Sequence, residues 1–375
     1  MIKDLDKLTE EIIKIFNAME TALLIEIAQR FDTYDTIGGT LEWHLKKLNE
    51  LGSLNAEAVK TIATYSKKSE KEILKMLEEA GYANIDMSVL SQAYNIGQIS
   101  VDPSKMMKSP VMKGILEQSY KELKGTYRLI QTKALESAKQ SYMDVLNNTY
   151  IEVASGVYDY NTSIRRGLQR MAARGISGAT YSRGGTIVRY SIEGTVRRDT
   201  LTAVNQLANK VSYESCKELG AEYVEISSHL GARVHPTNKI ANHAGWQGKV
   251  FKVVGSDSKH PNLKESTGYP DDIQGLGGVN CRHRMFPFFP NISTPNPIQY
   301  DEKENKKVYE LTQKQRAMER KLRQLKKQKA VATASNDDVS LKDIDAKITA
   351  KSNELGAFCK ANNLVRDFTR ENITY

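Results

Sequence analysis

The sequence predicts a mainly α fold with a small, loop-rich α+β module, in which helical arms surround a compact His/Cys-containing domain. The first observation is the placement of proline, since seven of the nine prolines fall between Pro236 and Pro297. Proline lacks a backbone donor and clashes inside helices, so long helices are expected on either side. The second observation is that five of the six histidines lie between His229 and His283.

These two patterns divide the 375 residues into four regions. We expect an N-terminal helical region over 1–110, a central helical region over 111–223 with a short β excursion near 181–192, a compact His/Cys/Trp module over 224–297, and a C-terminal helical hairpin and tail over 298–375. The third region is called the His/Cys module below. A chain of this length suits two or three folded units, at roughly 100–200 residues per domain.

The N-terminal region has apolar residues at steps of three and four, which predicts an amphipathic first helix over Leu5–Met19. A turn is expected at 37–40, followed by a helix that ends at Gly52 as its C-cap. Ser69 and Glu72 have the spacing of a capping box, which predicts the start of another helix that ends at Gly81.

The central region resumes helical spacing at Val111, and we expect Gly156 or Gly167 to interrupt it. A Gly-Gly pair inside the β-branched and aromatic run 181–190 favours a short hairpin. Helical spacing then continues to Gly220, and residues 221–227 are typical of a strand.

The C-terminal region has apolar residues at alternating steps of three and four, which is the heptad pattern of packed helices. A turn-like run at 332–338 separates two such stretches, so we expect an antiparallel helical hairpin over 303–356. The hairpin either packs only within its own chain or provides a seam for self-association.

The net charge of +9 is local. Eight arginines and one acid lie between Arg165 and Arg198, and eleven basic residues face five acids between Asp301 and Ala330, so the remainder is mildly acidic. The first segment predicts contact with DNA or an acidic protein surface through Arg165, Arg166, Arg170, Arg174, Arg197 and Arg198. The charge of an ordinary solvated helix face is the equally good alternative.

Composition excludes several classes of protein. No run approaches the roughly 18 apolar residues of a membrane helix, and the start Met1–Asp4 is not followed by the apolar core of a signal peptide. The three cysteines, Cys216, Cys281 and Cys359, are odd in number and far apart. This argues against a disulfide framework and fits a reducing compartment.

The His/Cys module contains a candidate metal site. Cys281 and His283 would project from the same face of an extended strand, since side chains repeat every second residue. With His229 and His243 they have the types and number of ligands for a closed tetrahedral zinc site. The spacing differs from that of common zinc knuckles, so the alternative is that these histidines hydrogen-bond backbone groups around a small buried Cys281. No other cofactor is predicted.

A catalytic interpretation uses the same residues. Cys281 with His283 or His243 would form a thiolate pair, and His243 with Asn242 would resemble a His/Asn nuclease. The alternative function is therefore a metal-dependent nuclease or hydrolase, or a non-catalytic DNA-binding protein that uses the His/Cys cluster and the basic segments. No third orienting residue and no phosphate-binding or nucleophile-elbow motif accompanies them. The prediction is therefore that the protein is not an enzyme. The run 275–278 lacks a dinucleotide-binding pattern and is expected to form a close-packed turn.

Three runs, 224–233, 243–251 and 275–290, contain the ordered patterns H-x-G-A-R, W-Q-G-K and N-C-R-H. This set resembles the signature of the phage minor capsid protein 2 family, which is similar in role to the Mu F-type head morphogenesis proteins. The resemblance implies structural roles for the motif residues Arg233, Trp246, Gln247, Gly248, Asn280 and Arg282. The stretch between Arg233 and the tryptophan motif is longer here than in the family, so His235 and His243 both remain candidates for the family's histidine, with His243 favoured by its neighbours.

The resemblance implies a minor structural component of a tailed-phage head, associated with the portal vertex and inner capsid and acting in head morphogenesis or in DNA packaging and ejection. The expected location is the virion, after assembly in the host cytoplasm. The expected partners are the portal protein, the major capsid protein or both, together with packaged DNA and a second copy bound through the C-terminal helices. No membrane and no catalysis are implied.

Overall fold

The computed structural model of the protein describes residues 5–31, 39–295 and 300–374. It confirms a mainly α fold with a small α+β part: 66% of the described residues are helical, and the described strands form two small antiparallel sheets. The charged start Met1–Asp4, the first half of the turn predicted at 37–40 and the module boundary predicted at 297 lie outside the described residues. Within the described ranges, every helix is too short or too polar to cross a bilayer.

The chain forms two compact units, each assembled from three stretches that are distant in sequence. The first unit comprises Met1–Glu10, Lys71–Gly125 and Arg198–Thr312. The second comprises Glu11–Glu70, Thr126–Arg197 and Gln313–Tyr375. The four consecutive regions expected from the sequence remain a prediction.

The elements follow one another along the chain as eleven labelled helices and five strands of the described residues. The helices are α1 (Leu5–Ala28), α2 (Thr40–Gly81), α3 (Met87–Asn95), α4 (Pro103–Met106), α5 (Pro110–Ala154), α6 (Tyr160–Arg174), α7 (Ile192–Leu219), α8 (His243–Trp246), α9 (Leu263–Thr267), α10 (Glu302–Ala334) and α11 (Asp338–Ala361). The strands are β1 (Ser177–Arg183), β2 (Thr186–Ser191), β3 (Tyr223–Ile226), β4 (Val250–Lys252) and β5 (Met285–Phe288).

Helix α2 is continuous, so the predicted break at Gly52 and restart at Ser69 are wrong. Gly52 lies on an open helix face, where an added Cβ would meet no atom within 4 Å. A helical glycine costs only about 1 kcal/mol relative to alanine, and a long helix tolerates this. The hydroxyl of Ser69 donates to the carbonyl of Ser66 inside the helix instead of capping a new one. The predicted end at Gly81 is confirmed.

Of the two glycines expected to interrupt the central helix, Gly156 does so. Helix α5 ends at Ala154, and Gly156 follows with a φ of 72°, a left-handed conformation that glycine adopts without strain. Gly167 lies inside α6, where an added Cβ would approach Cγ1 of Val145 to 3.3 Å. Its small size therefore serves the close packing of α6 against α5.

The hairpin expected near 181–192 is confirmed. Strands β1 and β2 pair antiparallel, with Arg183 opposite Thr186 across the turn. Both turn residues have positive φ, 56° at Gly184 and 80° at Gly185, which is the backbone of a tight two-residue hairpin turn.

The second sheet brings distant parts of the His/Cys module together. Strand β3 is central and pairs antiparallel with β4 and β5. Val224 and Ile226 are fully buried, while the alternate residues of β3 face outward. The pairing of Ile226 with Met285 continues in the backbone bond from Ser227 to the carbonyl of Arg284, at 2.8 Å. The chain after β3 therefore lies beside the chain that leads into β5.

The helical hairpin predicted over 303–356 is confirmed as α10 and α11. Leu322 of α10 and Leu355 and Cys359 of α11 form its buried core, with Met318, Ile348 and Leu364 packed around them. Asp337 caps α11 by accepting a hydrogen bond from the Ser340 backbone. Self-association through these helices stays a prediction.

A buried charge network lies in the second unit. Lys327 of α10 contacts Glu20 of α1 at 2.9 Å, and Arg323 contacts Glu193 at 2.7 Å; all four side chains are at most 10% exposed. Burial raises the pKa of the Glu193 carboxyl. The positive charges of Arg323, Lys327 and Arg197 have the larger, opposite effect and hold that pKa below its ordinary value. Glu20 also accepts hydrogen bonds from the backbones of Ile176 and Glu193.

We predict that Lys327→Met lowers the free energy of unfolding by about 3–5 kcal/mol, because it leaves the buried Glu20 carboxylate without its counter-charge. The matched control is Lys329→Met on the same helix. Lys329 pairs with Asp345 at 2.7 Å, but both side chains are roughly half exposed, and such a pair contributes less than about 1 kcal/mol. Urea denaturation of the full chain measures both changes. Equal losses in the two variants would contradict the prediction.

Candidate functional site

Three of the residues predicted to bind a metal meet in a buried cluster of the first unit. His243, Cys281 and His283 are each at most 4% exposed, and one ligand atom from each lies within 4.8 Å of the others. His243 is the first residue of the short helix α8. Cys281 and His283 lie in an extended run before β5, and the expectation that they share a side is confirmed, since Sγ lies 3.7 Å from Nδ1. This is the only such group of three His, Cys, Asp or Glu side chains among the described residues.

His229, the fourth predicted ligand, lies against the cluster. Its ring stacks on that of His283, with 4.5 Å between centroids and 27° between planes. Its Nδ1 lies 3.1 Å from the carbonyl of Leu230, so this nitrogen carries the proton and donates it. His229 is thus in ring contact with the cluster without belonging to the group of three.

The two buried histidines have defined tautomers. Nε2 of His243 lies 2.7 Å from the carbonyl oxygen of Gln274, and Nε2 of His283 lies 3.0 Å from Oε1 of Gln247. That oxygen also accepts the backbone N–H of His229 at 2.9 Å, which fixes the orientation of the Gln247 amide. Both acceptors are oxygens, so Nε2 carries the proton on both rings and Nδ1 carries the lone pair.

Two asparagines of α7 hold the extended run in place. Nδ2 of Asn205 donates to the carbonyl of Cys281 at 2.9 Å, and Nδ2 of Asn209 donates to the carbonyl of His283 at 3.1 Å. Oδ1 of Asn209 accepts the backbone N–H of Met285 at 2.8 Å. Asparagines four apart lie on one helix face, so they match carbonyls two apart on an extended chain. The sequence analysis did not predict this role. The signal for it was the presence of two asparagines, four residues apart, on an apolar face of the helix.

The electrostatics of the cluster follow from burial. Burial lowers the pKa of His243 to about 4 and lowers the pKa of His283 well below its ordinary value. Burial also raises the pKa of the Cys281 thiol. In the metal-free protein at neutral pH these three side chains are uncharged, and Cys281 is not a thiolate nucleophile. Asn242 does not orient His243, because its side-chain oxygen accepts the backbone N–H of His235.

Two other histidines of the module lie outside the cluster. Nδ1 of His235 accepts the backbone N–H of Asn238 at 2.9 Å and so closes a local turn. His260 contacts Asp257 at 3.0 Å. Of the two candidates for the family's histidine, the structure therefore places His243 in the cluster beside Trp246, with 4.6 Å between the ring centroids.

Comparison with known proteins identifies the family of the chain. The sequence matches the family described as phage minor capsid protein 2 over residues 3–360. The chain belongs to that family. It is also 25% identical over 303 residues to a protein named "Structural protein" from Lactococcus phage LL-H, covering 78% of each chain. No solved structure matches the chain significantly. The resemblance carried by the three short motifs is thus confirmed over nearly the whole sequence.

Two motif residues, Arg233 and Trp246, hold the loops around the cluster through hydrogen bonds to backbone carbonyls. Arg233 donates to the backbone carbonyls of Gln274 and Val279, at 3.2 and 2.7 Å. Nε1 of Trp246 donates to a backbone carbonyl at 2.9 Å from a buried position. Their partners lie within the module, so both residues act on its internal structure.

Three further motif residues differ in their surroundings. Gly248 and Asn280 have left-handed backbones, with φ of 66° and 58°, and the backbone N–H of Gly248 donates to the carbonyl of Ile226. Arg282, between Cys281 and His283, projects outward and is exposed. Left-handed conformations favour glycine and asparagine, which explains these residue types at two of the motif positions.

The turn expected at 275–278 is confirmed as close-packed. A Cβ on Gly275 would lie 2.1 Å from the carbonyl oxygen of Thr267, and one on Gly278 would lie 2.0 Å from that of Ile273. Only glycine fits at either position. The turn follows Gln274 directly, so it fixes the carbonyl to which His243 and Arg233 donate.

The predicted basic surface is partly neutralised by neighbouring groups. Its members contact acids, a ring or a hydroxyl as follows: Arg165 with Thr162, Arg166 over the ring of Tyr158, Arg170 with Glu152, Arg174 with Asp144, Arg197 with Glu193 and Arg198 with Asp199. Arg166 and Arg174 are the most exposed of those on α6. Contact with DNA through this segment stays a prediction.

We predict that Gln247→Leu destabilises the first unit by about 2–4 kcal/mol, because it leaves the buried His283 Nε2–H and the part-buried His229 backbone N–H without their acceptor. Gln274→Ala is the matched control. The carbonyl of Gln274 belongs to the backbone and its side chain is exposed, so His243 and Arg233 keep their acceptor. Urea denaturation followed by tryptophan fluorescence measures both changes, with Trp246 as the probe in the first unit and Trp43 as the probe in the second. A control variant as unstable as Gln247→Leu would contradict this account.

Proposed function

We propose that the protein is a minor structural component of a tailed-phage head, located in the virion at the portal vertex and inner capsid, and acting in head morphogenesis or in DNA packaging and ejection. The family match over residues 3–360 carries the proposal, because it includes most of both compact units. The relative from phage LL-H, named a structural protein, supports it.

The geometry of the His/Cys module supports a structural role. Gln247, Asn205 and Asn209 direct their side-chain amides to backbone or ring groups of the module itself. These hydrogen bonds rigidify a segment that has little regular secondary structure. A rigid module suits a protein that serves as a fixed part of an assembly.

The enzymatic alternative has less support. Burial keeps the Cys281 thiol protonated in the metal-free chain, and Asn242 is engaged with His235 instead of orienting His243. Metal-dependent DNA cleavage by the wild-type chain that is lost in His243→Ala would be the result in favour of a nuclease.

The portal protein and the major capsid protein are the proposed partners, with host-cytoplasmic assembly before incorporation into the head. The exposed basic groups on α6 are proposed to contact packaged DNA, and the hairpin of α10 and α11 to pair with a second copy. The family match assigns neither the DNA contact nor the self-association, so both are proposed from the charge and helix pattern of this chain.

We predict that the protein copurifies with heads at low copy number, comparable with the portal protein, before and after DNA packaging. Quantitative mass spectrometry of purified particles from a host making the protein measures this. Cross-links from exposed lysines such as Lys113 and Lys347 are expected on portal peptides. Absence of the protein from both kinds of particle would overturn the proposed function.

We predict that any DNA binding by the purified chain weakens steeply with salt and is reduced by the double variant Arg166→Gln and Arg174→Gln. Each arginine that neutralises a phosphate releases counterions from the DNA. Removing two such arginines should therefore reduce the magnitude of the slope of log K against log salt by about 2. Arg128→Gln, at an exposed arginine of α5 outside the basic segment, is the matched control. Binding that is insensitive to salt or unaffected by the double variant would reject this contact.

A further inference from the structure

We propose that His243, Cys281 and His283 bind one Zn²⁺ ion and that His229 supplies the fourth ligand. The site would be structural and would hold the loops of the His/Cys module together. The inference rests on the geometry of the cluster alone, so it does not depend on the proposed role in the phage head.

The first argument is distance. Zinc bonds to sulfur at about 2.3 Å and to imidazole nitrogen at about 2.0–2.1 Å, so tetrahedral geometry separates the two ligand atoms by about 3.6 Å. Sγ of Cys281 lies 3.7 Å from Nδ1 of His283. The ligand atoms of all three residues lie within 4.8 Å of one another, so a single ion between them needs only small side-chain movements.

The second argument is the direction of the lone pairs. Metal-binding histidines characteristically donate their other ring N–H to a carbonyl or carboxylate oxygen, which sets the tautomer. His243 and His283 both do this through Nε2, to Gln274 and to Gln247. Each ring therefore keeps the lone pair on Nδ1, and for His283 this is the nitrogen that faces the thiol.

The third argument is that the backbone is already held in place. Asn205 and Asn209 fix the carbonyls of Cys281 and His283, and the glycine turn after Gln274 fixes the acceptor of His243. The ligands would therefore lose little conformational entropy when a metal binds here. Gln247 accepts the Nε2–H of His283, as an oxygen acceptor characteristically does for a zinc-bound histidine.

The donor set selects the metal. The group of three contains imidazole and thiol and no carboxylate, and soft sulfur with borderline nitrogen favours zinc over calcium or magnesium. His229 offers the same chemistry beside the cluster, since its ring is stacked on that of His283 and its proton is on Nδ1. Coordination would then be complete without solvent, as in structural zinc sites.

A metal-free explanation accounts for part of this geometry, because a thiol that donates to Nδ1 of His283 also gives a separation of 3.7 Å. The two explanations differ in metal content. The test is elemental analysis of the full chain, produced without a histidine tag and dialysed against metal-free buffer. We expect one zinc per chain in the wild type and loss of at least nine tenths of it in Cys281→Ala and His283→Ala.

Two variants in the same unit serve as matched controls. Cys216→Ala removes another buried cysteine, and His260→Ala removes a histidine that contacts Asp257 outside the cluster. Both are expected to keep the full zinc content. Wild-type protein without zinc after refolding in its presence, or a Cys281→Ala chain that keeps full zinc, would overturn the proposal.

A measurement on the wild type avoids dependence on variants that fail to fold. Chelator-treated chain titrated with Co²⁺ should show the strong visible bands of a tetrahedral site and a thiolate charge-transfer band, saturating at one equivalent and reversed by Zn²⁺. Octahedral spectra without thiolate absorption would overturn the proposal. For His229→Ala we expect zinc affinity at least tenfold weaker than wild type; unchanged affinity would overturn the assignment of the fourth ligand.

Discussion

The buried backbone groups of the His/Cys module have to find hydrogen-bond partners without the help of extended secondary structure, and this constraint shapes the first unit. Each buried donor or acceptor left unpaired costs about 1–3 kcal/mol, so a loop-rich core survives only if side chains supply partners. Asn205, Asn209 and Gln247 do so for the run from Cys281 to Met285 and for His229. Asn305 does the same for the loop at Gly231 and Ala232.

The second unit meets a related constraint with charges. Glu20 and Glu193 are buried, and each pairs with a basic residue of α10. The Glu20 carboxylate also accepts the backbone N–H groups of Ile176 and Glu193. Desolvation makes such pairs expensive, so their contribution lies in the specific arrangement they impose more than in net stability. Arg323 and Lys327 are among the basic residues counted between Asp301 and Ala330. Because they pair with buried acids, their charge is not presented to a partner.

The contrast between structural and catalytic chemistry at the His/Cys cluster rests on the same physics. Burial keeps the two histidines neutral and the thiol protonated, which suits either a saturated polar core or the ligand set of a metal. It does not suit a nucleophile that must meet solvent and substrate.

Sequence patterns were sufficient to predict the mainly α class, the hairpin at Gly184 and Gly185, the paired helices α10 and α11 and the family, because periodicity, turn chemistry and short motifs are local properties. The tertiary structure alone decided that α2 continues through Gly52, since the cost of one helical glycine is smaller than the gain from continuing a packed helix. It also decided which histidines meet: His243 and His283 converge with Cys281, while His235 and His260 turn to local partners. Spacing cannot show this, because the sheet order of β4, β3 and β5 and the asparagine pair of α7 bring these residues together.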